Sequence, residues 1–513
     1  MDRKSIKRSI MKEWTVLYIT AGIFFLSVCI QGGYFPTCIV FIGLAECILY
    51  AAVKPKIKLG ILCPMLIFSL WYIFCTVKAG IVLEYASKAL LPAVAAMFYT
   101  IVISIDKRLK EKLLICVIKF SIGLAVASII FCTASSISSG ALERALFPFQ
   151  YSNACGIYFA VLIILSKECN DKLIRRGKIV FYIALILAQS VGAIILAAAA
   201  ELIYSRNKKK LIIIIAGITI FALCLYPRIY QSAGTFIERL LQIRDGLSCI
   251  AKNPVFGIGG GRWQELKNIY QSGFYEAVLI HSSIIQIGVD AGGTGILLFS
   301  WMICALIRKS LTLSKKYCIC MGIFLVHSCM DISMSFLGLN LLMILILTQT
   351  TGDGKDRIYI GRVYVAVALI TLAAFGSSEY GLLQTKAIDK YFNNREYSKV
   401  IQKYEADSLL QSSVNARLNY LKALYNTHQY EKAAETIDRF DYKTTDMLIL
   451  RAWCSSGSYL TEVLSKQKYN RQIYREIEEG DDTDLKYQAN TILDEAINSM
   501  SDLGKILYNR MEN

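Results

Sequence analysis

The chain has 513 residues, of which 55% are hydrophobic and 19% are charged, and its mean hydropathy is +0.46. Soluble proteins carry about a quarter charged residues, so this composition excludes an ordinary soluble protein. The net charge of +17 arises before residue 379, because residues 379–513 hold 18 basic and 21 acidic residues. Before residue 379 the basic residues form short clusters between apolar stretches. That pattern is typical of the flanks of membrane spans, so we expect a lipid bilayer and no nucleic acid as partner.

Apolar stretches long enough to cross about 30 Å of hydrocarbon recur along the first 378 residues. The N-terminal sequence MDRKSIKRSIMK is basic and leads into the first stretch without an A-x-A-like cleavage site, so we expect an uncleaved first helix. We therefore predict an all-α, polytopic transmembrane bundle over residues 1–378. Its predicted spans are 14–31, 36–53, 59–77, 85–105, 112–133, 151–166, 211–226, 283–307, 317–333, 335–349 and 362–378.

The apolar segment 179–204 is long enough for one span, but the basic clusters favour two half-spans. With the N-terminus inside, a single crossing would place the clusters SRNKKK (205–210) and RKSLTLSKK (308–316) outside. A turn at the sequence QSVG (189–192) returns the chain, so that every basic cluster faces the cytoplasm. This topology has about 12–13 spans, a cytoplasmic N-terminus, an extracytoplasmic C-terminal domain, and external loops at about 134–150 and 227–282.

The tail from residue 379 is polar and Tyr-rich and has helical periodicity. Its segments NREYSKVI (394–401) and HQYEKAA (428–434) resemble each other, with Tyr397 and Tyr430 33 residues apart. Tetratricopeptide repeats have a period of about 34 residues and bind partner proteins on a concave face. We predict that residues 379–513 form an extracytoplasmic tetratricopeptide-like domain with a possible protein partner; a helical domain without repeats is the alternative.

The predicted external loops are rich in residues suited to an anionic substrate. A planar guanidinium matches phosphate or pyrophosphate, and the loops hold Arg239, Arg244 and Arg262. The glycine turn GIGGG, which includes Gly259, presents backbone N–H groups to an anion but lacks the Lys-Ser/Thr of a P-loop. His281 precedes the span 283–307 and can exchange a proton near neutral pH. The cysteines lie in apolar runs, so we predict neither a disulfide framework nor a metal site.

Four motifs occur in a suggestive order along residues 110–350. His281-Ser282, nine residues, Gly292, two residues and Gly295 fit the signature H-[NSQ]-x9-G-x-x-[GTY]. Arg239 stands fifteen residues before Pro254 in ERLLQIRDGLSCIAKNPVFGIGGG. The other two motifs are Arg144 followed by FQYSN, which ends at Asn153, and His327-Ser328-Cys329-Met330-Asp331. By these motifs the chain resembles the O-antigen ligase and O-antigen polymerase family of membrane proteins.

The resemblance implies a GT-C-like glycosyltransferase that needs no metal or cofactor and uses an undecaprenyl-pyrophosphate-linked glycan in surface polysaccharide biosynthesis. It assigns catalysis to Arg144, Arg239 and His281. Val191 and Ile243 stand where many members have arginine and tryptophan, respectively. Substrate contacts are expected from Asn153, Arg244, Gly259, Arg262, His327 and Asp331.

Several alternatives remain open at this point. The pair His327 and Asp331, four residues apart on span 317–333, is either a structural lock or part of the site. The motifs do not separate a ligase from a polymerase. A polysaccharide or solute transporter would show related halves and polar residues at mid-span. A non-catalytic membrane scaffold would reduce the loop arginines to headgroup contacts.

Overall fold

The computed structural model describes residues 3–53, 59–167, 169–204, 226–310, 314–349, 361–441 and 443–512. These residues form 22 α-helices and no strand, which confirms the predicted all-α class. The first thirteen are α1 (Arg3–Cys29), α2 (Pro36–Val53), α3 (Leu59–Lys78), α4 (Leu91–Ser104), α5 (Lys107–Ser139), α6 (Ser152–Leu165), α7 (Lys172–Ala188), α8 (Val191–Tyr204), α9 (Tyr226–Lys252), α10 (Trp263–Tyr270), α11 (Ser283–Ser310), α12 (Lys315–Cys329) and α13 (Leu337–Thr348). The other nine are α14 (Gly361–Asn393), α15 (Tyr397–Ala406), α16 (Val414–Asn426), α17 (Tyr430–Asp438), α18 (Thr445–Trp453), α19 (Ser458–Lys466), α20 (Arg471–Glu479), α21 (Thr483–Ser499) and α22 (Asp502–Glu512).

The chain is a multi-pass membrane protein. Among the described residues, four helical segments are long and apolar enough to cross a membrane, and six shorter apolar helices pack with them. The predicted span 211–226 lies outside the described residues except for Tyr226. The four long segments are Ala86–Ser104, Lys107–Ser139, Ser283–Arg308 and Val365–Asn393.

The segment 179–204 turns back on itself, as the charge pattern predicts. Helix α7 ends at Ala188, and Gln189 adopts a left-handed φ of 49°, which breaks the helix before α8 begins. Glu201 of α8 accepts a hydrogen bond from Tyr182 Oη of α7 at 2.7 Å and lies 3.7 Å from Lys178 Nζ. Since Glu201, near the end of α8, lies beside the middle of α7, α7 and α8 form an antiparallel hairpin.

The two ends of the helix bundle have different contents. At one end, which we call the basic end, Lys112 stacks on Trp14, Lys119 pairs with Asp171, and Lys167 pairs with Glu201. The opposite end, which we call the site end, consists of the turn at 189–190, the loops 30–35, 79–90, 140–151, 253–282 and 330–336, and the tail. The charge clusters therefore mark one end of the bundle and the irregular segments mark the other.

The tail is held against the site end. Helix α14 runs without a break across the predicted boundary at 378–379, from an apolar segment into the tail. Glu84, in the loop after α3, accepts hydrogen bonds from Ser413 Oγ at 2.7 Å and from the backbone N–H groups of Val414 and Asn415 at the start of α16. A carboxylate at a helix N-terminus satisfies N–H groups that lack partners within the helix. The tail is thus joined to the membrane domain by contacts as well as by the chain.

Within the tail, consecutive helices pack in pairs around two apolar clusters. One cluster includes Val400, Leu421 and Ile437, and the other includes Leu464 and Ile473. The residues singled out by the sequence repeat, Tyr397 and Tyr430, are the first residues of α15 and α17. The repeated segments therefore begin equivalent helices, while their assignment to the tetratricopeptide type stays a prediction.

Candidate functional site

A buried carboxylate lies at the centre of the site end. Helix α12 ends at Cys329, so Asp331 lies in the following turn, where it is only 1% exposed. Its Oδ1 accepts from Tyr151 Oη at 2.8 Å, and its Oδ2 accepts from Asn153 Nδ2 at 2.7 Å and pairs with Arg239 Nη2 at 3.1 Å. A buried charge is stable only when it is paired and hydrogen-bonded, and both oxygens of Asp331 meet that condition.

Arg144 is joined to this carboxylate through Asn153. Its Nη2 donates to Asn153 Oδ1 at 3.3 Å and to the carbonyl of Gln189 at 3.4 Å, and its Nε donates to the carbonyl of Ala188 at 3.3 Å. Those carbonyls end α7, where backbone oxygens have no helical partner and the helix dipole favours a cation. The turn between α7 and α8 therefore positions the guanidinium of Arg144 beside Asn153.

Arg239 is fixed from a fourth segment, the long helix α9. Its Nη1 donates to the carbonyl of Met330 at 2.9 Å while its Nη2 pairs with Asp331. The side chain stays 22% exposed. A guanidinium held on one side by a carboxylate and a carbonyl has a preset orientation, which lowers the entropic cost of binding an anion on its exposed side.

His281 is oriented by a relay of side chains on α9. Its backbone N–H and its ring Nδ1 both contact Gln242 Oε1, at 3.0 Å and 2.9 Å, and Gln242 Nε2 donates to Glu238 Oε1 at 2.9 Å. Since the amide oxygen only accepts, Nδ1 carries the proton, and Nε2 is left with its lone pair. The relay therefore sets the tautomer that acts as a base through Nε2.

The electrostatic setting keeps this imidazole neutral. Burial lowers the pKa of His281 from 6.5, the nearby Asp331 carboxylate opposes that shift, and Arg239 adds to it. The loop containing Asp331 is also fixed to the start of α11, because the backbone N–H and the Oγ of Ser283 donate to the carbonyl of Asp331 at 3.0 Å and 2.8 Å. His281, Asp331 and Arg239 thus lie close enough for their charges to interact.

The glycine-rich turn packs against a kink in α11. Gly292 has φ of 74°, which interrupts the helix and frees the carbonyls of Val289 and Asp290. The N–H groups of Ile258 and Gly259 donate to those carbonyls at 2.8 Å and 3.0 Å. A Cβ on Gly259 would lie 2.3 Å from Ala79 Cβ. The N–H of Gly259, which was predicted to face an anion, therefore donates to the carbonyl of Asp290. Gly292, a glycine of the sequence signature, creates the kink that frees this carbonyl.

Two other predicted residues, Arg262 and Arg244, lie apart from the Asp331 cluster. Arg262 is 7% exposed, pairs with Glu265 at 2.6 Å and donates to the carbonyls of Ala79 and Gly80. Arg244 is exposed on a different face of α9 from Arg239, because five residues turn a helix by about 140° beyond a full turn. These positions favour a structural role for Arg262, and the substrate role of both arginines stays a prediction.

The sequence led us to expect His327 and Asp331 on one face of the same helix, but the structure does not place them there. The helix ends two residues before Asp331, and His327, 5% exposed, contacts Ser333 Oγ through Nδ1 at 2.7 Å. Hydrophobic periodicity continues through the span and gives no sign of this helix end. The predicted i,i+4 arrangement was therefore wrong. His327 stabilises the turn that carries Asp331 through its contact with Ser333.

An apolar groove of about 190 Å³ adjoins the cluster between α3, α4, α11, α12 and α13. Ser283 and Met334 line its wall, and Ser283 Oγ also contacts the carbonyl of Asp331. Asp290 faces the groove and accepts from Tyr72 Oη and Gln286 Nε2. The remaining lining is mainly apolar and includes Met65, Phe68, Phe299, Met302, Phe324 and Met343.

Sequence reasoning missed Tyr151, Gln242, Glu238 and Ser283 as members of the site. Gln242 lies three residues after Arg239, hence on a neighbouring part of the same helix face, which is the one local signal available. Its contact with His281 joins residues 39 positions apart, and no sequence spacing predicts it.

Residues 149–300 match a family model described as O-antigen ligase. The resemblance predicted from the sequence is thereby confirmed for this segment, which contains Asn153, Arg239 and His281, and a membrane function of the O-antigen ligase type is supported. Arg144, Asp331 and the tail lie outside the matched segment. The chain has no match among curated proteins.

Proposed function

Starting from the O-antigen ligase match, we propose that this protein is a glycosyltransferase of the ligase or polymerase type. It would transfer a glycan from undecaprenyl pyrophosphate to an acceptor at the outer face of the cytoplasmic membrane, in surface polysaccharide biosynthesis. The observation that carries the proposal is the hydrogen-bonded series Arg144, Asn153, Asp331 and Arg239, which lies beside a neutral, oriented His281.

The placement of this cluster supports an outer-face reaction. Basic clusters of multi-pass proteins face the cytoplasm, and here they occupy the end of the bundle opposite the cluster. The proposed topology therefore puts the site end and the tail outside.

In the proposed reaction an acceptor hydroxyl attacks the anomeric carbon of the lipid-linked sugar. The bond between that carbon and the pyrophosphate oxygen breaks as the new glycosidic bond forms, and undecaprenyl pyrophosphate leaves with the bonding electron pair. Negative charge develops on the leaving oxygen, and Arg144 and Arg239 stabilise it from fixed positions. Asp331 lowers the net positive charge but holds Arg239 in its productive orientation.

His281 takes the proton of the acceptor hydroxyl. Its Nε2 is the basic nitrogen because Gln242 Oε1 receives the Nδ1 proton. The lowered pKa keeps the imidazole unprotonated at neutral pH, as a general base requires. The proposal assigns charge stabilisation to guanidinium groups, in keeping with the metal-independent activity that the resemblance implies.

The apolar groove beside Ser283 suits the first part of the polyprenyl chain. Its wall is mainly hydrocarbon and sulfur, and it adjoins the loop that carries Asp331. A lipid chain in the groove would bring its pyrophosphate to the arginines. Burial of apolar chain surface contributes about 25 cal/mol per Å² toward binding.

The test uses the purified protein in lipid vesicles, with lipid-linked oligosaccharide and acceptor. We expect His281→Ala to lower the rate of glycosidic-bond formation by about 10²- to 10⁴-fold, because it removes the base. The matched control is His428→Ala at an exposed position in the tail, which should leave the rate unchanged. Wild-type turnover by His281→Ala would refute the assignment of the base. Movement of intact lipid-linked glycan without bond formation would indicate a transporter.

A further inference from the structure

A second cavity, of about 490 Å³, lies between the membrane domain and the tail. Its membrane-domain wall comes from α9 and the segment 267–276, and its tail wall comes from α20, the start of α18 and α22. The volume falls within the range of about 300–1,000 Å³ that is usual for small-molecule sites. None of the tail residues in this wall belongs to the segment matched by the family model.

Direct contacts fix the two walls of this interdomain cavity relative to each other. Asn268 Nδ2 donates to Thr445 Oγ1 at 2.9 Å. The ring of Phe274 lies edge-on to Tyr469, with the ring centroids 5.5 Å apart, and it also contacts Tyr474 and Tyr508. The cavity is therefore a defined space with a preset shape, which lowers the entropic cost of binding a ligand.

The lining combines aromatic rings with many hydrogen-bonding groups. Phe274, Tyr275 and Tyr469 contribute rings, while amides, two carboxylates and three cations contribute donors and acceptors. Aromatic rings that lie among amides, carboxylates and cations suit a ligand with apolar faces and many hydroxyl groups. A lipid chain would leave the polar groups without partners.

One lining atom lacks a partner in the described part of the chain. Gln271 is 8% exposed, and its Nε2 donates to the carbonyl of Tyr275 at 2.7 Å, but its Oε1 is buried and accepts no hydrogen bond. An unsatisfied buried acceptor costs about 1–3 kcal/mol. A ligand hydroxyl would recover that cost once the Gln271 side chain rotates to present Oε1 to the cavity.

The interdomain cavity also connects to the proposed base. Glu238 lines the cavity and accepts from Gln242, and Gln242 in turn contacts His281. Burial raises the pKa of Glu238 and lowers the pKa of Lys267, so both groups lie in a partly dry environment. A glycan whose reacting sugar lies at His281 therefore has a polar, partly dry space beside it.

We propose that the interdomain cavity binds an oligosaccharide, namely the sugars that follow the reacting sugar, and that the tail supplies half of this site. The inference rests on the proposed function and extends it to substrate recognition. The shared ligand chemistry is a short glycan, and its source is the lipid-linked donor or the growing acceptor. The tail then acts in glycan recognition, and binding of a protein segment in the same cavity is the competing outcome.

The test measures KM in the vesicle assay for substrates with one sugar and with a full oligosaccharide. Gln472 and Arg475 are exposed residues on α20 that line the cavity, so substitutions there leave the core intact. We expect Arg475→Glu and Gln472→Ala to raise the KM ratio of long to short substrate at least fivefold. A change confined to the lipid-linked substrate identifies the donor glycan, and a change confined to the lipid-free acceptor identifies the acceptor glycan. Arg439→Glu, in an exposed part of the tail outside the cavity, is the matched control and should leave both KM values unchanged.

A binding measurement separates this inference from the proposed function. The probe is the oligosaccharide released by mild acid from the lipid carrier, titrated calorimetrically into the full-length protein. We expect binding to wild type and to His281→Ala, and at least fivefold weaker binding to Arg475→Glu. Unchanged binding and unchanged KM ratios in both cavity variants would overturn the inference even if the enzyme is active. Binding of a peptide in the cavity, with no binding of the released glycan to wild type, would assign the cavity to a protein partner and overturn the inference as well.

Discussion

The two ends of the helix bundle use positive charge in opposite ways. At the basic end, lysines and arginines occur in runs, and many are exposed, such as Lys172, Arg175 and Arg176 at the start of α7. At the site end, Arg144 and Arg239 come from separate segments, and each is held by named carbonyl, amide or carboxylate oxygens. Charge in runs sets orientation in the membrane, whereas charge fixed singly in a partly dry setting is suited to binding a defined anion.

The function of a cation in a membrane protein therefore has to be inferred from its contacts and not from the local charge of the sequence. The runs are visible in the sequence and carry little information on chemistry. The site arginines are inconspicuous in the sequence, and their significance comes from partners that are distant along the chain. Asp331, for example, contacts residues 92 and 178 positions before it.

The largest effect expected for a change of a cation tests whether cations at the two ends of the bundle differ in function. Arg239→Ala should lower the rate of glycosidic-bond formation by about 10²- to 10³-fold, the usual cost of losing a fixed donor to developing negative charge. Lys172→Ala at the basic end should stay within about twofold of wild type, because Lys172 is exposed and far along α7 from the cluster. The measurement is the initial rate in vesicles that contain equal amounts of each protein. Equal losses of rate in the two variants would show that cations at the two ends do not differ in function.

A second test concerns the ion pair by which Asp331 orients Arg239. Asp331→Asn keeps the shape of the side chain but removes the ion pair, so Arg239 loses its fixed orientation. We expect an activity loss of about 10- to 100-fold, smaller than that of Arg239→Ala, since a hydrogen bond to a charged group contributes about 1.5–3 kcal/mol. If the double variant is no worse than Arg239→Ala alone, Asp331 acts through Arg239. Fully multiplicative losses would show that Asp331 has an independent role.

The smallest expected effect concerns stability at the basic end. Glu201 of α8 contacts Lys167 at 2.6 Å, Lys178 at 3.7 Å and Tyr182 at 2.7 Å, so it joins α8 to α7 and to the turn after α6. Glu201→Gln should lower the free energy of unfolding by about 1–3 kcal/mol, the cost of leaving partly buried charged groups without a partner. Thermal unfolding in detergent measures this change. Glu143→Gln at an exposed position of the site end is the control, and an equal loss there would contradict the assignment.

The pH dependence of the reaction provides a further check on the site end. A base acts in its unprotonated form, so the rate should fall as pH drops through the pKa of His281. Because burial lowers that pKa from 6.5, the acid limb of the rate profile should lie below pH 6.5. An acid limb above pH 6.5 in wild type, or the same limb in His281→Ala, would show that another group titrates.

Much of the fold was predictable because its signals are local. Apolar runs predicted the apolar helices of the described residues, and the sign of the charges between them predicted the reversal that the structure shows at Gln189. Ser190 and Gly192, which suit a break in an apolar run, placed the predicted turn at residues 189–192. The end of α12 at Cys329 was not predictable, because the hydrophobic sequence continues past it and the turn is fixed by distant contacts such as that of Ser283 with Asp331.

The candidate site was only partly predictable. Arg144, Asn153, Arg239 and His281 were found through their resemblance to family motifs, since spacing alone does not join four separate segments. The relay through Gln242 depends on the packing of α9 against the loop before α11, which no periodicity reveals. At Gly259 the N–H that was expected to face an anion donates to the carbonyl of Asp290, and the glycine packs against Ala79, so its role in substrate binding stays a prediction.

The central claim, that the site end faces outside, is tested most directly by impermeant thiol labelling of intact cells. Single cysteines are introduced at the exposed positions Ile269 of α10 and Lys172 of α7, in a background without native cysteines. We expect Ile269→Cys to be labelled from outside and Lys172→Cys to be labelled only after the membrane is permeabilised. Labelling of Lys172→Cys in intact cells, with Ile269→Cys protected, would place the Arg239 and His281 cluster in the cytoplasm and contradict the account.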